Sequence, residues 1–340
     1  MRPMRVGCVG TGFIAGKHLA ALSTFDDIDV VAVADTDGQR AQTAASAHGA
    51  RSYTDGVDLM ASEDLDAIWF CVPPFAHGPL EEAAVSRSLP FFVEKPLAHD
   101  HATAERIAGL VEAAGLLTAV GYHWRYLDLV QRARELVADR PPLLVTGYWL
   151  DSTPPVPWWA RRDQSGGQLV EQATHVLDLA RLLVGEVADL TTAHVPAARA
   201  GSGDGQDGGD LVPLASAVSL RFESGAVGTV SSARVLPGRH RVGIHLVGEG
   251  YSVELTERAI VDHQLTVTTA EGTEVQESDQ DPIAAEDRAF LDAVAGEGDD
   301  VRCSYAQALR THLLAWAAER SGSDEGVVAR LVSTRAAPWA

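Results

Sequence analysis

Apolar residues in the first third of the chain fall into short runs, separated by stretches in which apolar residues recur every three or four positions. The short runs predict buried strands near residues 4–9, 29–34, 51–53, 67–72, 90–94 and 117–121. The intervening stretches predict amphipathic helices near residues 13–23, 37–48, 77–88 and 100–114. Strands that alternate with helices of crossover length form a parallel sheet. We therefore expect an α/β domain over residues 1–122.

The pattern changes in the rest of the chain. The elements predicted next are a helix near 126–138, a strand near 143–151, a loop over 153–166 and one long helix near 168–184. From 187 to 270, β-rich runs follow one another without a crossover helix, and Ser224-Gly225 is typical of a hairpin, so this sheet should be open and mostly antiparallel. Two amphipathic helices are predicted near 283–296 and 304–321. We expect a second, α+β domain over 123–340, with C-terminal helices that can pack back on the first domain.

Composition and charge narrow the classes of partner. The chain has 340 residues, of which 46% are hydrophobic and 22% charged, as in an ordinary globular protein. Its formal net charge of −20 argues against nucleic acid and anionic membranes as partners, because phosphate groups would be repelled. The apolar runs are also far shorter than a bilayer span. The net charge says little about a small-molecule ligand, which meets only its own pocket.

Two further features concern the cellular compartment and local mobility. The cysteines Cys8, Cys71 and Cys303 are scattered in apolar surroundings, which predicts small core residues in a reducing compartment. The first residues lead straight into a strand-like run without the apolar stretch of a secretory leader, so a cytoplasmic location is expected. The segment Gly201–Asp210 is rich in glycine and aspartate and predicts a mobile loop.

A glycine pattern of the form G-x-G-x-x-A stands between the first predicted strand and helix, with Gly10, Gly12 and Ala15 at the fixed positions. The first glycine permits a tight turn, the second lets the backbone approach a pyrophosphate, and the alanine lets the helix pack closely on the strand. Phe13 and Ile14 open the helix, whose free N–H groups face the phosphates. The pattern predicts a Rossmann dinucleotide-binding domain; the other interpretation is a glycine-rich turn in a different α/β domain.

The second predicted strand ends in an acidic residue that fits this cofactor. Asp35 lies 23 residues after Gly12, a spacing suited to hydrogen bonds with the adenine ribose hydroxyls. Asp35, Thr36 and Asp37 place two carboxylates where the 2′-phosphate of NADP would sit, although Arg40 could still serve a phosphate. We expect NAD in preference to NADP.

A lysine at the end of the fifth predicted strand is the first candidate for chemistry. Lys17 and Lys95 are the only lysines among 27 basic residues, so a lysine is retained at position 95 in a chain that otherwise uses arginine. Ligands of open α/β sheets bind beyond the carboxyl ends of the strands, which is where Lys95 falls. A lysine near the positive charge of an oxidised nicotinamide can give up its proton, whereas an arginine cannot. We expect Lys95 to take part in proton transfer.

A second candidate group lies on the helix predicted near 168–184. Glu171 and His175 are four residues apart, and Asp178 is three further on the same face. A carboxylate beside an imidazole fixes one tautomer and raises the basicity of the ring, as a general base requires. A simple surface contact is the alternative. We expect no metal, because this spacing supplies only two ligands.

These motifs occur in one order with several others: Pro73-Pro74 and His77, Glu94-Lys95-Pro96, Gly121-Tyr122-His-Trp-Arg125-Tyr, and Gly166-Gly167 ahead of His175. Together they resemble the glucose–fructose oxidoreductase/inositol dehydrogenase (Gfo/Idh/MocA) family over essentially the whole chain. The resemblance implies a Rossmann domain followed by an open, mostly antiparallel sheet that often forms the subunit interface. It implies NAD(P)-linked oxidation or reduction of a sugar, inositol or related ring, with the lysine and histidine as the proton-transfer pair.

The resemblance also assigns site residues. Those expected at the dinucleotide are Gly10, Gly12, Phe13, Ile14, Asp35, Thr36, Arg40, Cys71, Pro73, Pro74, His77, Glu94, Lys95 and Arg125. Those expected at the substrate are Lys95, Tyr122, Trp158, Trp159, Arg161, Glu171 and His175, of which Lys95, Glu171 and His175 are the expected catalytic residues. The chain departs from the family at Glu171, where aspartate is common, and this carries the carboxylate about 1.5 Å further from the backbone.

The loop that contains Trp158, Trp159 and Arg161 has two interpretations. Indole faces stack on sugar rings and arginine holds carboxylates or phosphates, which favours a substrate-binding loop. The other interpretation is a hydrophobic plug between the domains. For the molecule as a whole we expect a homodimer or homotetramer. Two other functions stay open: a glycosidase of the same family that acts by transient oxidation, and an inactive dinucleotide- or sugar-sensing regulator.

Overall fold

The computed structural model describes residues 2–197, 210–321 and 329–330. The chain divides into two units, Met1–Tyr126 with Asp281–Arg310 and Leu127–Gln280 with Thr311–Ala340. Residues 201–209 of the predicted mobile loop lie outside the described part of the chain. Within the described ranges, none of the helices has the length and apolar character needed to cross a membrane.

The first unit opens with alternating strands and helices. They are β1 (Met4–Val9), α1 (Phe13–Leu22), β2 (Ile28–Ala34), α2 (Gly38–His48), β3 (Arg51–Tyr53), α3 (Gly56–Ser62), β4 (Ala67–Phe70), α4 (Pro79–Ser86), β5 (Phe91–Val93), α5 (His101–Ala114) and β6 (Thr118–Val120). The described strands form one sheet in the order β3-β2-β1-β4-β5-β6, and every neighbouring pair is parallel. The predicted parallel α/β domain is confirmed. The strand order reverses between β1 and β4, and at such a point an open sheet has its ligand crevice.

Alternation along the strands of this sheet builds a core on each face. On β4 and β5, Ile68, Phe70 and Phe91 belong to one buried cluster, while Trp69 and Phe92 belong to the other. The two-residue period of a strand sends neighbouring side chains to opposite faces, so a parallel sheet buried on both sides is apolar at every position. The three cysteines are buried and none of them forms a disulfide, as the prediction of small core residues requires.

The second unit begins after a 3₁₀ turn at His123–Tyr126. Its helices are α6 (Asp128–Ala138), α7 (Arg162–Ser165), α8 (Gln168–Glu171) and α9 (Thr174–Val184), and a 3₁₀ turn spans Pro157–Ala160. Its strands are β7 (Leu144–Leu150), β8 (Val187–Val195), β9 (Ala215–Phe222), β10 (Val227–Ala233), β11 (Arg241–Gly248), β12 (Tyr251–Ala259), β13 (Asp262–Thr269) and β14 (Gly272–Ser278). The remaining elements of the chain are α10 (Pro282–Ala295), α11 (Tyr305–Arg320) and β15 (Ala329–Arg330).

Nine described strands form the sheet of the second unit, in the order β14-β13-β12-β11-β7-β10-β9-β8-β15. Only the β7–β10 pair among them is parallel, so the prediction of a mostly antiparallel sheet is confirmed. Helix α9 lies directly on this sheet: a Cβ at Gly147 would overlap the side chain of Val176. The absence of a side chain at Gly147 thus brings the helix close to β7.

The prediction of one long helix near 168–184 is wrong in one respect. The helix stops at Glu171 and a new one starts at Thr174. The carbonyl of Gln168 accepts hydrogen bonds from the N–H groups of both Gln172 and Ala173, which inserts a wider turn between the two helices. Glu171 and His175 are therefore carried by different helices rather than by successive turns of one. The prediction also missed the short helix α3.

Candidate active site

The glycine fingerprint forms the turn between β1 and α1. Gly10 has φ +91°, and a Cβ at this position would overlap the carbonyl oxygen of Cys71 at the end of β4. At Gly12 a Cβ would meet no atom within 4 Å, so the space in front of the helix is open. Gly12 has no side chain to cap the first turn of α1. The N–H groups of the first turn of α1 can therefore donate hydrogen bonds to an anion, as a pyrophosphate-binding turn requires.

Asp35 follows β2 and lies beside this turn. One oxygen of its carboxylate accepts hydrogen bonds from the N–H (3.0 Å) and hydroxyl (2.7 Å) of Thr11. The other accepts from the N–H of Asp37 (2.9 Å) and from Nη2 of Arg40 (2.7 Å). Burial would raise the pKa of Asp35, but these hydrogen bonds outweigh it and hold the pKa below its ordinary value. The carboxylate is a fixed negative charge at the predicted ribose position.

The residues predicted around the end of β4 are held by internal contacts. Pro73 and Pro74 lead into a 3₁₀ turn at Pro74–Ala76. The next residue, His77, is buried, and its Nδ1 lies 2.6 Å from Oε1 of Glu81, whose other oxygen accepts the N–H of Gly78. These contacts fix the backbone that follows β4.

At the end of β5, Glu94 is buried and Lys95 is partly exposed. The carboxylate of Glu94 accepts the backbone N–H of Lys95 at 3.0 Å, and its other oxygen lies 3.0 Å from Nε2 of His18 on α1. The imidazole of His18 reaches Asp287 of α10 on its other side. The side chain of Glu94 is therefore directed into the unit, while that of Lys95 has access to solvent.

Two more predicted residues, Tyr122 and Arg125, follow β6. Both are buried, and Nη1 of Arg125 donates to the carbonyl of Arg302 at 2.6 Å. The hydroxyl of Tyr126 accepts the N–H of Arg302 at 2.8 Å. This segment is held by hydrogen bonds to Arg302, in the stretch that precedes α11.

In the second unit, Glu171 is bonded to the predicted substrate loop. The indole Nε1 of Trp159 donates a hydrogen bond to Oε2 of Glu171. Trp159 is fully buried, whereas its neighbour Trp158 is partly exposed. Arg161 pairs with Asp163, with Nη2 2.9 Å from the carboxylate. Of the two tryptophans, only Trp158 has a surface that a substrate can reach.

His175 is supported by an aromatic ring of the sheet. Its imidazole stacks on the indole of Trp149 in β7, with ring centroids 5.9 Å apart and planes inclined by 19°. Arg239 lies over the same indole, 5.5 Å from its centroid, and pairs with Asp151 at 3.1 Å. These contacts fix the plane of the His175 ring, which is 3% exposed.

The second glycine of the Gly166-Gly167 pair lies against a side chain of the second unit. Gly167 has φ +110°, and a Cβ there would overlap the carboxyl group of Glu319 from α11. That carboxyl accepts the N–H of Leu169 at 3.1 Å and lies 3.2 Å from Nε of Arg162. Burial raises the pKa of Glu319 to about 7, although Arg162 acts to lower it. The glycine therefore makes room for a side chain of the same unit.

The structure brings the predicted residues together in two groups. The fingerprint, Asp35 and Lys95 lie at the carboxyl ends of strands in the first unit, and Trp159, Glu171 and His175 lie in the second. Their joint action stays a prediction. Sequence reasoning missed His18, Asp287, Trp149 and Glu319. One signal was present for the first of these, since His18 falls on the apolar stripe of α1 with Ala15, Leu19 and Leu22.

Comparisons with known proteins agree with this architecture. Residues 4–122 match the family model of the Gfo/Idh/MocA oxidoreductases with an NAD-binding Rossmann fold, and residues 130–254 match the Gfo/Idh/MocA C-terminal domain. Inositol 2-dehydrogenase of Acidothermus cellulolyticus is 30% identical over 268 residues, which is 76% of this chain and 75% of that protein. Inositol 2-dehydrogenase 4 of Saccharopolyspora erythraea is 29% identical over 223 residues, and the match spans 64% of each protein, less than two thirds of that relative's length.

A solved structure of levoglucosan dehydrogenase in complex with NADH and levoglucosan has the same fold. The TM-score is 0.83 at 21% sequence identity, and the superposition covers 96% of this chain and 99% of that one. The two family models together cover more than half of the chain, and the match to the relative from Acidothermus cellulolyticus covers 76% of it. The chain therefore belongs to the Gfo/Idh/MocA family of NAD-binding oxidoreductases.

Proposed function

We propose that the protein is an NAD-dependent dehydrogenase or reductase of a sugar, an inositol or a related cyclic polyol. Hydride would pass between the nicotinamide and a carbinol or keto carbon of the ring. The observation that carries the proposal is the position of Lys95, a partly exposed lysine at the carboxyl end of β5 in a doubly wound sheet. The names of its relatives, which include inositol dehydrogenases, support the substrate class.

The fingerprint turn fits a dinucleotide. An open space in front of Gly12, uncapped N–H groups on α1 and the ionised Asp35 match a pyrophosphate followed by a ribose. When bound, NAD supplies the hydride acceptor. The chain's own groups then have to orient the substrate and move one proton between its hydroxyl and solvent.

Lys95, His175 and Glu171 are assigned these tasks. In the oxidative direction Lys95 and His175 act as the proton-transfer pair, and they return the proton in the reverse direction. Trp149 holds the plane of the His175 ring. Glu171, oriented by Trp159, would accept a hydrogen bond from a second hydroxyl of the substrate and so orient the ring. Trp158 and Arg161 of the same loop are assigned to the outer part of the substrate.

The outer face of the large sheet supports a second, smaller proposal, that the protein is a homodimer or a tetramer of dimers. On this face Arg241 lies over the ring of Tyr148, 4.2 Å from its centroid, and both contact Glu254. Leu144 and Val227 are 43% and 50% exposed at the ends of β7 and β10. Light scattering at micromolar concentration should give at least twice the mass of 36.1 kDa, and a monomer would refute this assignment. The cytoplasmic location stays a prediction.

The function is tested by incubating the protein with NAD and a panel of inositols, aldoses and anhydrosugars, and with NADH and keto-sugars, while following the absorbance of reduced nicotinamide. A substrate in the panel should change the absorbance with wild type but not with Lys95→Ala or His175→Ala. Cleavage of an aryl glycoside that needs NAD without net NADH formation would instead favour transient oxidation. If NAD binds but no member of the panel reacts or is cleaved, the result contradicts the proposed dehydrogenase and favours an inactive sensing regulator.

A further inference from the structure

His18 occupies a fully buried position between two carboxylates. It lies on α1, and its side chain is 0% exposed. The ring atom Nδ1 is 2.8 Å from Oδ1 of Asp287, and Nε2 is 3.0 Å from Oε1 of Glu94. Asp287 also accepts the indole N–H of Trp69 at 2.8 Å. Every member of this cluster belongs to the first unit.

The distances determine the protonation of the ring. An ionised carboxylate can only accept hydrogen bonds, so each ring nitrogen that faces one has to carry a proton. Burial acts to lower the pKa of His18, but the charges and hydrogen bonds of Asp287 and Glu94 raise it well above the ordinary value. The pKa of Glu94 is lowered from its ordinary value, because the contacts with His18 outweigh the effect of burial. His18 is therefore an imidazolium bonded on both sides.

Other titratable groups surround the ring. Glu286, on α10 beside Asp287, is fully buried, and burial raises its pKa well above the ordinary value. The pKa of Asp287 is also raised by burial, although His18 opposes this. The pKa of the buried Cys71 thiol is raised through its hydrogen bond with Cys8 and by burial, so it stays neutral. His18 is thus a buried cation between Glu94 and Asp287 that offsets part of their negative charge.

We infer that His18 is a positioning residue for Lys95. It acts through Glu94: one oxygen of that carboxylate bonds to the imidazolium, and the other accepts the backbone N–H of Lys95. The chain leaving β5 is in this way attached to α1, the helix whose first turn forms the glycine fingerprint. The lysine and the dinucleotide turn are held in register by one buried ion pair. This inference rests on the catalytic assignment of Lys95 in the proposed function.

A metal ion is the competing occupant of the cluster. Ligand atoms of His18, Glu94 and Glu286 lie within 4.8 Å of one another, and Asp287 is placed to orient the imidazole. A metal at Nε2 would require that nitrogen to lose its proton, and the short contact to Glu94 would then become a contact between two ligands. The imidazolium explains both short distances without another component.

The first test measures the ring itself and needs no substrate. Nitrogen-15 spectra of histidine-labelled wild type, with His18 assigned from the His18→Gln variant, should show two protonated ring nitrogens at pH 7. In Asp287→Asn one carboxylate is removed while shape and the contact to Trp69 are kept, so the ring should release a proton at a lower pH than in wild type. A neutral ring in wild type at pH 7 would overturn the inference, as would a stoichiometric metal whose removal by EDTA changes these signals.

The second test separates positioning from folding. His18→Gln should lower kcat by roughly 10–100-fold on a substrate found in the panel, with the dissociation constant of NAD changed by less than about 2-fold. Glu94→Gln should have a similar effect, and the double variant should lose little more than either single variant, since both act through one contact. His101→Gln, which removes a histidine–carboxylate pair on α5, is the matched control and should leave kcat unchanged.

The outcomes distinguish this inference from the proposed function. If Lys95→Ala retains turnover, the catalytic assignment fails whatever the state of His18. If Lys95→Ala is inactive but His18→Gln turns over like wild type, the positioning role alone is wrong. Asp287→Asn keeps the His18–Glu94 contact. If both His18→Gln and Asp287→Asn lose stability, NAD affinity and kcat together, the cluster has a structural role and the positioning role is wrong.

Discussion

Trp159 donates its indole N–H to the carboxylate of Glu171, so the buried tryptophan holds the acid that precedes the candidate catalytic histidine. Glu171 stands where the family commonly has aspartate. The additional methylene lets the carboxylate of Glu171 meet an indole that lies in the 3₁₀ turn Pro157–Ala160. We interpret Trp159 and Glu171 as a pair that sets the position of the carboxylate for the substrate of this protein.

Trp159→Phe tests this pair, because phenylalanine keeps a buried ring but has no N–H to donate. A hydrogen bond to a charged group contributes about 1.5–3 kcal/mol, so kcat/KM should fall roughly 10–100-fold while NAD affinity is kept. Glu171→Gln keeps the reach and an acceptor, and the double variant with Trp159→Phe should be far less than additive. Additive losses in this double-mutant cycle would show that the two residues act separately.

The α/β part of the first unit, residues 1–126, could be predicted almost completely from the sequence, and the reason is local. Its strands are buried on both faces and separated by helices, so apolar runs such as Ala67–Phe70 stand out, and the strand ends were predicted within about two residues. Asp35 followed from its spacing after Gly12, and Lys95 from the rule that ligands lie beyond strand ends. These predictions use only residues that lie close together in the sequence.

The features that the sequence did not predict depend on contacts between distant parts of the chain. Gly167 is one of the two motif glycines ahead of His175, and the group that fills the space beside it is Glu319, about 150 residues later. Two adjacent tryptophans looked equivalent, and the turn that buries Trp159 has no periodicity that marks its inner face. The partners of His18 are 76 and 269 residues away. Sequence spacing carries no information about such pairs.

The preference for NAD should depend on the pairing between Asp35 and Arg40. Asp35→Ser removes the negative charge and frees the guanidinium, which is bonded to that carboxylate at 2.7 Å. NADP affinity should therefore rise relative to NAD by roughly 10-fold or more, since charge-assisted contacts to a phosphate are strong. The measurement is fluorescence titration of wild type and variant with NADH and NADPH.

Asp37→Asn removes the second carboxylate near the expected 2′-phosphate position and is the comparison variant for this prediction. Asparagine can still cap α2, as Asp37 does through Gln39 and Arg40, and it leaves the Asp35–Arg40 pair in place. Its selectivity should change much less than that of Asp35→Ser. Tighter binding of NADPH than NADH to wild type would contradict the assignment of Asp35.

The buried Glu319 should make stability depend on pH. Its folded-state pKa of about 7 lies above the ordinary value of 4.5, so folding takes up a proton between these values. The group is neutral in both states below pH 4.5. As pH rises from 4.5 to 7 it ionises in the unfolded chain at no cost, but in the folded chain only against burial, so stability falls. The difference approaches about 3 kcal/mol above pH 7.

Glu319→Gln removes this dependence while keeping an acceptor for the N–H of Leu169. Relative to wild type, the variant should gain stability between pH 5 and pH 8 in urea unfolding followed by tryptophan fluorescence. Glu223→Gln, at an exposed position, should give no pH-dependent difference. If the difference between Glu319→Gln and wild type is the same at both pH values, Arg162 keeps Glu319 ionised in the folded protein and the assignment of a raised pKa is wrong.

Lys95→Arg separates proton transfer from electrostatic attraction. Arginine keeps the positive charge and nearly the reach of lysine, but it does not deprotonate at any useful pH. If Lys95 moves the hydroxyl proton, Lys95→Arg should fail almost as badly as Lys95→Ala, by about 10²–10⁴-fold in the chemical step, or about 3–5 kcal/mol. His175→Ala should lose a similar factor, and the double variant far less than the product, because the two groups would form one relay. NAD binding, measured by nicotinamide fluorescence, should survive in each variant. Wild-type turnover in Lys95→Arg would leave the lysine only an electrostatic role, and the general base would have to be sought at His175 alone.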